Sequence, residues 1–185
     1  MGTEAPRHFH LVARDRRRAR SGTLPNVTAT GWPTDWNELA ALAPESVDQF
    51  VALHKVIDDS VDPVIIELCR LRIAGLVGAS AHLSLRRPKA AAAGLTEAKI
   101  AELARWPESP LFSAGERACL ALAEQFCMGA YTVTEADVAT VLEHLSADEC
   151  YALVNGIWVM EALARMTVVM GVDPDPHALG LVPAA

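Results

Sequence analysis

The sequence predicts an all-α protein, a helical bundle of about seven to eight helices, and three observations predict it. Of its 185 residues 51% are hydrophobic but only 5% aromatic, so Ala, Leu and Val carry the core, a composition that favours helix over sheet. Ser, Thr and Asp recur at capping distance ahead of apolar runs of helical period, and Gly or Pro closes those runs. No strand-like alternation bounded by turn signals accompanies them.

The elements follow from this punctuation. Thr34 is placed to cap a short helix that stops before Pro44. Ser46-Val-Asp-Gln49 reads as a capping box opening a helix with Phe50, Val51, His54 and Ile57 on one side. Asp62-Pro63 sets a cap before a proline at the first helical position, and that helix runs to about Val77, where Gly78 breaks it. A further helix is expected through Ala93, closed by Gly94. Thr96 starts another that ends at Trp106-Pro107. Ser113-Ala-Gly-Glu116 opens a helix to about Met128, Thr134 caps the next, and Ser146-Ala-Asp-Glu149 caps a long final helix closed by Gly171.

Charge divides the chain. Residues 1–20 hold Arg7, Arg14, Arg16, Arg17, Arg18 and Arg20 against Glu4 and Asp15, a balance of +4 within a total of −7. Residues 1–30 are therefore read as an Arg-rich N-terminal arm, 31–175 as one helical domain and 176–185 as a C-terminal tail. A body carrying the remaining −11 is a poor nucleic-acid binder. The start shows no apolar stretch followed by a small-residue cleavage site, so a cytoplasmic location is expected. Cys150–Met170 is about the length of a bilayer span, but Asn155, Glu161 and Arg165 within it favour a buried core helix, and no membrane partner is expected. The four cysteines, Cys69, Cys119, Cys127 and Cys150, fit no zinc or redox spacing. They read as reduced core thiols, and neither metal nor cofactor is expected.

The informative stretch is 62–99. Glu67 sits among Val64, Ile65, Ile66, Leu68, Cys69 and Leu71, an environment that desolvates a carboxylate. Beyond Gly78, Ala79, His82 and Arg86 are spaced to share one face of the expected helix. Two antiparallel helices joined at Gly78 would bring Glu67 back towards that face. Glu161 and Arg165 read as an internal i, i+4 ion pair, and an arginine such as Arg165 is a candidate partner for Glu67.

The run from Glu67 to Gly78, then Pro88-Lys-Ala-Ala-Ala-Ala-Gly94-Leu-Thr-Glu97, resembles the core of the carboxymuconolactone decarboxylase and alkylhydroperoxidase-D superfamily. The similarity continues through Ser113–Arg117, Val133–Asp137 and Leu145–Glu149 and covers about 45–172. The resemblance implies an alkylhydroperoxidase-D-like bundle, an oxidoreductase-type family label and assembly as a homo-oligomer, a trimer or hexamer. The peroxidase branch follows its glutamate with Cys-x-x-Cys-x-x-x-His. In that register Ala79 and His82 stand at the two cysteine positions and Arg86 at the histidine. The decarboxylase branch would place a glutamate at His82 and a histidine at Arg86. Glu67 alone matches both. Without a thiolate there is no disulfide cycle, and Pro88 inside the expected helix removes the hydrogen bond to the Ser84 carbonyl.

Three functions fit these residues. One is a cofactor-independent acid–base enzyme, of lyase, isomerase or hydrolase type, acting on a small anionic substrate. Glu67 and His82 would be its catalytic pair, with Arg86 and Ala79 binding substrate. The second is a non-catalytic small-molecule-binding or structural family member. The third is an oligomeric platform whose basic arm binds nucleic acid or an acidic partner.

Overall fold

The computed structural model describes residues 32–184, so the arm read at 1–30 lies outside the described residues. A compact body starts at Pro33. Among the described residues nine α-helices follow one another: α1 (Trp36–Leu42), α2 (Pro44–Asp58), α3 (Pro63–Val77), α4 (Ser80–Leu83), α5 (Pro88–Ala92), α6 (Glu97–Ala101), α7 (Ala114–Gly129), α8 (Glu135–Leu142) and α9 (Ala147–Met170). Two short extended pieces, β1 (Leu85–Arg86) and β2 (Val182–Pro183), pair antiparallel with Leu85 opposite Pro183.

Local chemistry sets most helix ends. Asp62 Oδ1 accepts from the backbone N–H of Val64 (2.8 Å) and Ile65 (3.1 Å), and Pro63 at the first helical position has no N–H to leave unpaired. Gly78, at φ +74°, closes α3 in the left-handed conformation that disfavours a Cβ. Ser113, Thr134 and Ser146 each form a reciprocal capping box, with Glu116, Asp137 and Glu149 respectively.

These helices pack α3, α7 and α9 around one core, where Leu68, Ile73, Leu120, Leu153 and Ile157 are fully buried. Helix α9 is long and apolar enough to cross a membrane by length and composition, and here it lies against α2, α3 and α7. Gly156 lets it come close: a Cβ there would meet Ile66 Cδ1 at 2.8 Å and Ile57 Cγ2 at 2.9 Å.

Several expectations need correcting. Asp35, not Thr34, caps α1, and Thr34 instead donates its N–H to Glu38. Helix α2 starts on Pro44 rather than at Ser46, so no capping box forms there. The helix expected from Gly78 through Ala93 is α4, β1 and α5 in succession. The carbonyls of His82 and Leu85 are taken by the Arg70 guanidinium, at 2.9 and 2.7 Å. The Ser84 carbonyl, which Pro88 has no N–H to reach, accepts instead from the Ala184 N–H at 2.8 Å. With its carbonyls spoken for, the segment leaves the helix, and Pro88 starts α5 rather than kinking a longer one.

The segment read as a tail closes this arrangement. Leu179 and Leu181 are buried with Trp36, Leu39, Leu85, Leu163 and Val172 in a second apolar cluster. This cluster joins the first helix to the last residues of the chain.

Candidate functional site

Glu67 lies in the middle of α3 with none of its surface exposed. A bare carboxylate there would forfeit its hydration, so it must be paired. Arg70, one turn on, supplies a planar fork: Nε donates to Oε2 and Nη2 to Oε1, both at 2.7 Å. This two-point geometry is the strong form of an arginine–carboxylate contact. The remaining Arg70 donors reach the carbonyls of His82 and Leu85, so one side chain ties α3 to the turn that replaces the expected helix.

Arg87, just ahead of α5, is the second cation. Its backbone N–H donates to Glu67 Oε1 at 3.2 Å, Nη1 donates to Asp58 Oδ1 at 2.6 Å, and Nη2 lies 3.0 Å from His54 Nε2. The arginine can only donate, so His54 accepts at Nε2 and its proton sits on Nδ1, 3.9 Å from Asp58 Oδ1. Two carboxylates and two guanidiniums thus balance around a neutral imidazole. Burial, with Arg87 and Arg70 beside it, lowers the His54 pKa to about 3. Burial raises that of Asp58 against the opposing pull of Arg87 and Lys89. One donor is left over: Arg87 Nε makes no hydrogen bond and stands 3.6 Å from Glu67 Oε2.

His82 is buried, and its ring is held by Thr167. Nε2 lies 2.9 Å from Thr167 Oγ1, whose own proton goes to the Ala164 carbonyl, so the histidine donates. Burial and Arg70 lower its pKa to about 4. The two residues expected to act as a pair thus have different side-chain partners, Arg70 for Glu67 and Thr167 for His82. Arg86 has its own partner: its fork closes on Glu97 at 2.8 and 2.9 Å. Ala79 is buried against Ala74 and Ala164, its N–H bonded to the Ala74 carbonyl. Arg165 pairs with Glu161 at 2.7 Å but is half exposed, so that pair is peripheral and is not the partner of Glu67.

Part of the network faces a cleft. Asp58 and Arg87 line a cleft of about 450 Å³ between the C-terminal end of α2, the start of α3, the start of α5 and Leu179–Gly180. At its rim Lys89 Nζ contacts Asp59 Oδ1 at 2.5 Å, and Lys55, Pro63, Ile66 and Pro88 complete the lining.

Of the thiols, Cys69, Cys119 and Cys150 are buried and Cys127 is half-buried. Cys69 Sγ contacts the Cys119 carbonyl at 3.7 Å, burial raises the Cys69 pKa well above its ordinary value, and that of Cys119 is pushed up to about 12. Among the described residues no three His, Cys, Asp or Glu side chains cluster as metal ligands would.

Sequence reasoning located Glu67 but not the residues around it. Arg70 was within reach, because i, i+3 is a pairing distance on any helix. His54 and Asp58 are an i, i+4 pair with the same signal. Arg87 carries no local signal, since only the reversal of the chain after Gly78 brings it to Glu67.

Comparison with known proteins agrees with this architecture. Residues 44–125 match the model of the Carboxymuconolactone decarboxylase family. A crystal structure of a protein of unknown function from Agrobacterium tumefaciens, described under the antioxidant-defence name AhpD, superposes with a TM-score of 0.63. It is 23% identical, over 75% of this chain and 96% of its own, a likeness that speaks for the fold. None of the curated proteins matches the chain. Residues 44–125 thus resemble the Carboxymuconolactone decarboxylase family, and the chain shares the all-α fold of the structure that carries the AhpD name.

Proposed function

We propose that this chain is a carboxymuconolactone decarboxylase-like protein that takes a small molecule in the cleft beside its ion-pair network and has no thiol peroxidase activity. One observation carries the reading: the buried half of the network, Glu67 and Arg70, is internally satisfied, while its other half, Asp58 and Arg87, lines an open cleft. The volume falls within the roughly 300–1,000 Å³ of small-molecule sites, and a few convergent polar groups in an apolar lining are their usual make-up. Glu67 and His82 serve the fold, because each already holds a partner in the apolar interior. Peroxide chemistry by cysteine needs an accessible thiolate, and the thiols here are either buried or held far above neutrality.

A second reading keeps catalysis. Asp58 is the carboxylate that both faces the cleft and has its pKa raised by burial, the condition of a general acid or base. In that case Asp58, not Glu67, moves the proton. Tyr151, Trp158 and Val169 stand exposed on α9, and we propose that they bury themselves in a homo-oligomer.

Two measurements test the reading. The full chain should consume no peroxide with dithiothreitol or lipoamide; turnover lost on Cys69→Ser or Cys119→Ser would sink the first half. Small-fragment screening by ligand-observed NMR should give binders whose signals vanish in Lys55→Trp, which plugs the mouth. Binders indifferent to that substitution would sink the second half.

A further inference from the structure

We propose that the cleft selects an apolar monocarboxylate, held by Lys89 at the rim and Arg87 at the floor; the inference rests on the cleft being the small-molecule site. Charge is the first argument. Lys55, Arg87 and Lys89 face Asp58 and Asp59 across one lining, an excess of one positive charge that a single anionic group neutralises. A ligand cation would meet three cations, and a dianion would set its second charge against two carboxylates, so both are disfavoured in a partly desolvated space.

The donors available are the second argument. Arg87 is almost wholly buried, its Nε faces Glu67, and its Nη1 and Nη2 each hold one partner, Asp58 and His54, so each terminal nitrogen keeps a second N–H for a further acceptor. A planar fork is the group best matched to a carboxylate. Lys89 and Asp59 are both largely exposed, and an ion pair in that setting holds weakly and opens readily to a competing acceptor. The third argument is the wall. Pro63, Ile66, Pro88 and Leu179 give the ligand's body an apolar seat beside these charges.

Calorimetric titration of the full chain at pH 7 and low salt, with phenylacetate, phenylacetamide and phenethylamine, separates the possibilities because the three share a body and differ in charge. Phenylacetate is expected to bind about tenfold or more tightly than the amide, the usual yield of charge-assisted hydrogen bonds. Its affinity should fall with added potassium chloride and fall severalfold in Lys89→Gln, a substitution at an exposed position, while the amide is unaffected by either. Equal affinity for acid and amide, or preference for the amine, overturns the inference while leaving the cleft a small-molecule site, provided Lys55→Trp abolishes that binding. Phenylacetate binding that ignores Lys89→Gln overturns it as well. Binding of none of the three removes both the inference and the cleft reading beneath it.

Discussion

Arg70 Nε and Nη2 each donate at 2.7 Å to a different oxygen of Glu67, a fork closed within one turn of a single helix. The same guanidinium then caps the carbonyls of His82 and Leu85. The glutamate at the centre of the family resemblance is therefore the anchor of a brace that shapes the chain after Gly78.

Removing that anchor should be felt as lost stability. Glu67→Gln leaves Arg70 and Arg87 buried with only one net countercharge, and breaking one side of a buried pair typically costs about 3–5 kcal/mol. Urea unfolding followed by circular dichroism measures it. Unchanged stability would mean the carboxylate is dispensable to the fold and would reopen a catalytic role.

Acid should unfold the protein through its two buried imidazoles. His54 and His82 have folded pKa values of about 3 and about 4, below the ordinary 6.5. The unfolded chain therefore binds the extra protons first, and stability falls as pH drops from about 6.5 towards 4, by up to about 1.4 kcal/mol per pH unit for each histidine. Asp58 works against this over the acidic range, because its folded pKa is raised. Melting temperatures from pH 7 to 4 should decline, and His82→Gln should flatten the slope. A flat wild-type profile refutes the assignment of neutral, buried rings.

How much of this was legible in the sequence depends on how far each cause lies from its effect. Asp62, Ser113 and Ser146 act on N–H groups two or three residues away, so the starts of α3, α7 and α9 could be read directly. The end of α4 could not. Its carbonyls are claimed by Arg70 from the preceding helix and by Ala184 from the last residues of the chain, and no local pattern announces either. The site divides the same way. Glu67 stood out as a carboxylate among aliphatics, but the partner of the His82 ring is Thr167, on a helix far along the chain.

Two helical glycines should respond oppositely to alanine. Gly156→Ala must push Ile66 and Ile57 apart at the crossing of α9 with α2 and α3, and overpacking of that kind costs about 1–3 kcal/mol, more than the helix propensity returned. Gly75, in α3, has open space where a Cβ would go, so Gly75→Ala should gain up to about 1 kcal/mol. Thermal denaturation of both variants checks the contrast, and a stabilised Gly156→Ala would show the crossing looser than its geometry.

The thiols should be silent in the folded state. With burial pushing Cys119 and Cys127 up to about 12, their thiolate fraction at pH 8 is on the order of 10⁻⁴. Iodoacetamide labelling of Cys69, Cys119 and Cys150 in native protein should proceed only as fast as the chain opens, and all four cysteines should label in denaturant. Rapid native labelling of Cys69 or Cys119 would contradict their burial.

The pairing of β2 with β1 has a consequence for how the cleft keeps its shape. Leu179 and Leu181 share one apolar cluster with Trp36 and Leu39, apart from the core of α3, α7 and α9. Loosening that smaller cluster would free Leu179–Gly180, one wall of the cleft, without opening the main core. The pocket is thereby only as steady as this seam, and a protease that removed residues 178–184 would leave a folded interior with one side of its pocket missing.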